Sequence, residues 1–84
     1  MITQVYAIRD KAAGLFMFPQ QDINDMTAKR NFFNAMESHP DGIMAFQPQD
    51  FDLYHIGTFD NEKAEFSCSI PEFIANGEDY YESE

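Results

Sequence analysis

One segment of this 84-residue chain has helical periodicity, and strand-like sequence flanks it on both sides. At about 100° per residue, Met26, Ala28, Phe32, Phe33, Ala35 and Met36 share one half of a helical cylinder. Thr27, Arg30, Asn31, Asn34 and Glu37 take the other half. Lys29 falls inside the apolar arc, where it either snorkels past the end of a sheet or makes a cationic contact to a partner. Asp22, Asn24 and Asp25 offer N-cap oxygens and favourable first-turn charge. Ser38-His39-Pro40-Asp41-Gly42 stops the helix, because the residue before a proline avoids the α region. A lone helix cannot enclose a core by itself, so the rest of the chain must supply a sheet for it to cover.

The flanking segments supply the strands. In residues 2–9, Ile2, Tyr6 and Ile8 fall on one side of an extended chain and Val5 and Ala7 on the other. A turn with Gly14 leads to Leu15-Phe16-Met17-Phe18, which ends at Pro19, so residues 2–9 and 15–18 make a hairpin. Residues 43–50 read as a loop interrupted by Pro48, and 51–59 as a strand rich in aromatic and β-branched residues. After a turn at 60–63, Ala64, Phe66, Cys68 and Ile70 alternate with Glu65, Ser67 and Ser69, the pattern of a half-buried strand. Pro71 ends it and opens a short helical turn over 71–75.

The order is β-β-α-β-β, an α+β fold with one antiparallel sheet and a single helix packed on one face. Residues 1–75 form one small domain. Residues 76–84 form an acidic C-terminal tail with Glu78, Asp79, Glu82 and Glu84 and no base, in which Tyr80 and Tyr81 are possible docking anchors. One helix cannot hide Tyr6, Phe16, Phe18 and Tyr54 together. An uncovered aromatic sheet face points to a partner or to a homodimer or other homo-oligomer.

Charge narrows the function classes. Fifteen Asp and Glu against five Lys and Arg give a formal net charge of −10, which opposes bulk attraction to nucleic acid or anionic lipid. Aromatics at 15% separate the chain from a disordered acidic tail. A single cysteine excludes an internal disulfide framework and fits a reducing compartment. No apolar run is long enough to span a bilayer, and no basic segment of a secretory signal follows Met1.

No catalytic constellation stands out. Cys68 alternates on an apolar face with Phe66 and Ile70, so it reads as a small buried residue and not as an activated thiol. His39 and His55 lack metal-ligand spacing, and the four glycines are too scattered for a phosphate loop. Asp60-Asn61-Glu62 resembles the start of a calcium loop but lacks its glycine and its final glutamate. No catalytic residue, metal or cofactor is expected. The nucleic-acid reading rests on sheet aromatics as stacking platforms, with Arg9, Lys11, Lys29 and Arg30 forming a small basic spot if they converge.

Three strings carry a resemblance. The first is Val5-Tyr6-Ala7-Ile8-Arg9-Asp10-Lys11-Ala12, with Phe16-Met17-Phe18-Pro19 after it. The second is Asn24-Asp25 followed by Ala28-Lys29-Arg30-Asn31-Phe32. The third is Pro48-Gln49-Asp50-Phe51-Asp52-Leu53-Tyr54-His55-Ile56-Gly57-Thr58-Phe59-Asp60. In these the chain resembles the small nonstructural protein family of microviruses, the gokushovirus-like single-stranded DNA phages. Gln49 stands where that family usually has an acid, and Asn61-Glu62-Lys63-Ala64 lacks the glycine often found there. From Pro71 onward no match is evident. The resemblance implies a phage protein in the bacterial host cytoplasm. The implied role is in viral DNA replication, at the switch to single-stranded DNA synthesis and packaging.

Three readings follow. In the first, the chain is a non-enzymatic adaptor whose acidic surface meets a basic phage or host replication or packaging protein. In the second, it binds single-stranded DNA through Tyr6, Phe16, Phe18 or Tyr54 with Arg9 and Lys11. In the third, it is a transient assembly or scaffolding component. The candidate contact residues are Tyr6, Arg9, Lys11, Phe16, Phe18, Lys29, Arg30, Tyr54, Tyr80 and Tyr81. In the 51–59 strand, Gly57 is expected where a backbone or ring comes close.

Overall fold

The computed structural model describes residues 1–82. The elements are β1 (Ile2–Asp10), β2 (Leu15–Phe16), β3 (Gln20–Asp22), α1 (Asp25–Ser38), α2 (Ile43–Phe46), β4 (Phe51–Asp60), β5 (Glu65–Asn76) and α3 (Glu78–Glu82). A 3-10 turn over Pro48–Asp50 precedes β4. The strands form one antiparallel sheet in the order β2-β1-β4-β5, with β3 also paired to β1. The expected α+β layering of one sheet and one long helix is present, with two further short helices.

The start of α1 follows its cap chemistry. Asn24 Oδ1 accepts the Thr27 amide at 2.9 Å, satisfying one of the free donors at the helix N-terminus. Asp22 accepts instead from Asn31 Nδ2 at 2.8 Å, tying β3 to the helix. Ala28, Phe32 and Met36, four residues apart, are the buried stripe. They pack on Tyr6 of β1 and on Phe51 and Leu53 of β4 to form the core. Met36 is 1% exposed, and its burial contributes about 2 kcal/mol. The stripe is narrower than half a cylinder: Met26 is 80% exposed and Ala35 is also exposed, because the helix meets the sheet along a single line.

Pro71 behaves differently from expectation, whereas Pro19 lies in no strand. The expected strand over 15–18 is shorter, Leu15–Phe16, and the chain resumes pairing with β1 after Pro19, at Gln20–Asp22. Pro71 lies within β5, which continues to Asn76 and forms no helical turn over 71–75. His55 pairs Glu72 and Gly57 pairs Cys68, so Ser69, Ile70 and Pro71 sit in an irregularity opposite Ile56. A bulge is where a strand tolerates a residue with no amide hydrogen. Residues 43–50, expected as loop, hold α2 and the 3-10 turn, because Gly42 accepts the amides of Ala45 and Phe46 and Ile43 accepts that of Gln47.

The first half of β5 is not half-buried. Phe66 is 64% and Ile70 89% exposed, and Cys68 is exposed too, which corrects its reading as a buried residue. Phe66 and Cys68 alternate on the sheet face turned away from α1, so alternation here marks a free face and not a covered one. Gly57 conforms to expectation: a Cβ there would sit 2.3 Å from the Ser67 carbonyl oxygen.

The segment read as an acidic tail begins inside the domain. Asn76 is the last residue of β5, and the Gly77 amide donates to the Phe51 carbonyl at 2.9 Å. Tyr80 packs partly buried against the core. Glu84, counted with that tail, lies outside the described residues.

Candidate functional site

Alternation along the strands sorts the side chains by sheet face. Tyr6, Ile8, Phe51 and Leu53 point toward α1. Arg9, Phe16, Asp52, Tyr54 and Phe73 point to the other side. There Phe16 and Tyr54 meet edge to face at 5.5 Å, and Tyr54 meets Phe73 at 5.9 Å. The row crosses from β2 to β5, with the Arg9 guanidinium 5.1 Å from the Phe16 ring centroid. Further along the same face, Phe59 and Phe66 lie 4.6 Å apart in paired positions of β4 and β5.

This helix-free face is poor in charge. Among the described residues its one carboxylate, Asp52, is 6% exposed and accepts Asn76 Nδ2 at 2.7 Å. Lys11 Nζ lies 3.5 Å from the other Asp52 oxygen. Among the described residues, Arg9 makes no ion pair.

The acids gather on the helix side. The Tyr6 hydroxyl donates to Asp25 Oδ1 at 2.6 Å. Burial pushes this hydroxyl well above the ordinary tyrosine range, and the Asp25 bond and the charges of Asp25, Asp22 and Glu72 add to the shift. Tyr6 also meets His55 edge to face at 5.2 Å, and His55 Nε2 lies 2.8 Å from the accepting Gln4 Oε1. Register places Glu65 beside Asp60 and Glu72 beside His55 on this side.

The ten candidates thus separate. Arg9, Lys11, Phe16 and Tyr54 converge on the helix-free face. Lys29, Tyr80 and Tyr81 gather around Phe33: Lys29 Nζ is 5.8 Å from its ring centroid, Tyr80 is 5.5 Å away, and Tyr81 meets Tyr80 at 5.0 Å. Lys29 therefore has an apolar support within the chain. Tyr6 is 3% exposed and lines the same groove as Phe18. Phe18, 91% exposed, stands at a groove between α1 and the 15–22 segment, and Arg30 is exposed without a ring or ion-pair contact among the described residues. The four cations do not form one basic spot.

Phe73, Phe59 and Phe66 share this face and are not among the ten residues the sequence singles out. Reading Pro71 as a bulge instead of a strand end restores Phe73 to the strand. The 60–63 turn pairs Phe59 with Phe66 once Asp60 is set opposite Glu65. Among the described residues, no group of three or more His, Cys, Asp or Glu could hold a metal ion, and no helix is long and apolar enough to cross a membrane.

The family model described as Phage ORF5 protein matches residues 3–80. The chain belongs to this family and is a phage protein. No curated protein and no solved structure matches it.

Proposed function

We propose that the protein is a non-enzymatic accessory factor of a microvirus-type phage, working in the bacterial host cytoplasm. It acts by protein–protein contact in viral DNA replication, at the switch to single-stranded synthesis and packaging. The observation that carries this reading is the segregation of charge. Exposed acids, among them Asp25, Glu37, Asp41 and Glu72, lie away from the helix-free face and present a surface suited to a basic phage or host replication or packaging protein. The resemblance to microvirus nonstructural proteins supports the replication setting. Complementary charge of this kind raises association rate and falls off with salt. A pull-down from infected cells is expected to recover a basic replication or packaging protein at low salt and less of it at moderate salt. Recovery of none at either salt overturns the reading.

A second reading, direct binding of single-stranded DNA, draws on the Arg9, Phe16, Tyr54 and Phe73 cluster. It predicts an oligonucleotide mobility shift with a clear salt slope. No shift at micromolar protein and low salt rejects it.

A further inference from the structure

We propose that the helix-free face seats a second copy of this chain, face to face, closing a two-layer sandwich around Phe16, Tyr54, Phe73, Phe59 and Phe66. Three of these rings are well exposed: Phe16 at 38%, Phe66 at 64% and Phe73 at 53%. An exposed apolar patch of this extent marks an interaction site.

Charge selects the occupant. A polyanion needs cations, and among the described residues this face offers two, of which Lys11 is already held by Asp52. A basic protein needs carboxylates, and the one carboxylate among the described residues here is buried and satisfied by Asn76 and Lys11. What fits is a surface that is itself apolar and nearly neutral, and the same face on another copy has that character. Two chains of charge −10 repel through their bulk. Meeting on this face keeps Glu65, Glu72, Asp60 and Asp25 on the outer sides of the pair. A two-fold axis presents the same patch twice, as an isologous interface requires.

Geometry favours the face over the edge. Pro71 and its irregularity interrupt β5, the outer strand, and break the run of backbone groups an edge-to-edge pairing would use. The outline of the face sets the scale of the interface. At about 3.3 Å per residue, β1, β4 and β5 run roughly 30–40 Å, and three strands at about 4.8 Å spacing span roughly 14 Å, to which the two residues of β2 add at one end. That outline of roughly 450–500 Å², before side-chain relief, lies below the ~800 Å² per partner of a standard stable interface and fits a dimer that forms at micromolar concentration.

Sedimentation of the full chain tests this. The expected species at micromolar concentration has twice the 9.7 kDa chain mass. Phe66→Glu and Phe73→Glu, tested separately with circular dichroism to confirm folding, are each expected to weaken the dimer at least tenfold. Glu72→Lys, on the helix side, leaves it unchanged. Maleimide labelling of Cys68 gives a readout without variants at the rings. Cys68 is exposed and shares the face with Phe66 by alternation, so its labelling slows as concentration drives dimerisation. A monomer at all concentrations overturns the proposal. So does a dimer indifferent to both phenylalanine substitutions. A monomer that binds a thymidine oligonucleotide and loses it on Phe73→Glu assigns the face to nucleic acid, and also overturns it.

Discussion

Asn76→Ala separates a domain that ends before Asn76 from one that includes it. Asn76 Nδ2 donates to Asp52 Oδ1 at 2.7 Å and to the Gln49 carbonyl at 3.1 Å, while its Oδ1 accepts the Glu78 amide at 2.9 Å. Removing the amide leaves the buried Asp52 carboxylate with Lys11 alone, 3.5 Å away and partly solvent-exposed. A hydrogen bond to a buried charge is worth about 1.5–3 kcal/mol, and loss of the cap-like bond to Glu78 adds about 1 kcal/mol. The expected destabilisation is about 2.5–4 kcal/mol, a large share of the stability of a domain this small. Urea unfolding with an unchanged slope reads it directly, and a melting scan is expected to show a fall of roughly 10–25 °C. The Asp52→Ala, Asn76→Ala cycle assigns about 1–2 kcal/mol to the pair itself. A loss below about 0.5 kcal/mol for Asn76→Ala, or additivity in the cycle, refutes the claim that Asn76 holds the last strand to the domain.

Tyr6→Phe loses the bond to Asp25 and is expected to cost about 1.5–2 kcal/mol near neutral pH in chemical denaturation. The raised Tyr6 pKa means that its contribution is whole below about pH 10, the unfolded value, and is lost as pH climbs through the higher folded value. The wild type should therefore lose stability above pH 10 more steeply than Tyr6→Phe, and parallel alkaline profiles would count against this. Gly57→Ala forces a Cβ to within 2.3 Å of the Ser67 carbonyl oxygen, so β4 and β5 must part. A cost of about 3 kcal/mol or more is expected, measured by urea midpoint. Ala64 sits at φ 54 in the β4–β5 turn, a left-handed conformation costing an L-residue about 1–2 kcal/mol. Ala64→Gly relieves that strain against a smaller entropy loss and is expected to raise stability by about 0.5–1 kcal/mol in the same assay.

Local signals carried much of the fold. The Ala28, Phe32, Met36 stripe, the Asn24 cap and the close approach at Gly57 each depend on neighbours a few residues away or on one strand pairing. Their physics is written in the spacing. The errors share a different cause. Pro19 and Pro71 are local stop signals, but pairing with β1 and β4 carries the chain through or past them. Cys68 and Phe66 alternate as a covered strand would, yet sequence spacing does not state which sheet face α1 covers. The candidate face was half legible. Arg9, Phe16 and Tyr54 were identified as sheet residues, whereas Phe73 was hidden by the proline. The convergence of Lys29 and Tyr80 on Phe33 depends on α3 folding back to the helix, which no periodicity encodes.

The central claim is that exposed acids on the helix side address a basic partner. Its most direct test is quantitative affinity purification from infected cells, comparing the wild type with the Glu37→Lys, Asp41→Lys, Glu72→Lys variant. The account predicts that the wild type recovers a basic replication or packaging protein and that the charge-reversed variant, folded and of the same oligomeric state, loses most of it. Equal recovery by both, or none by the wild type, contradicts the account.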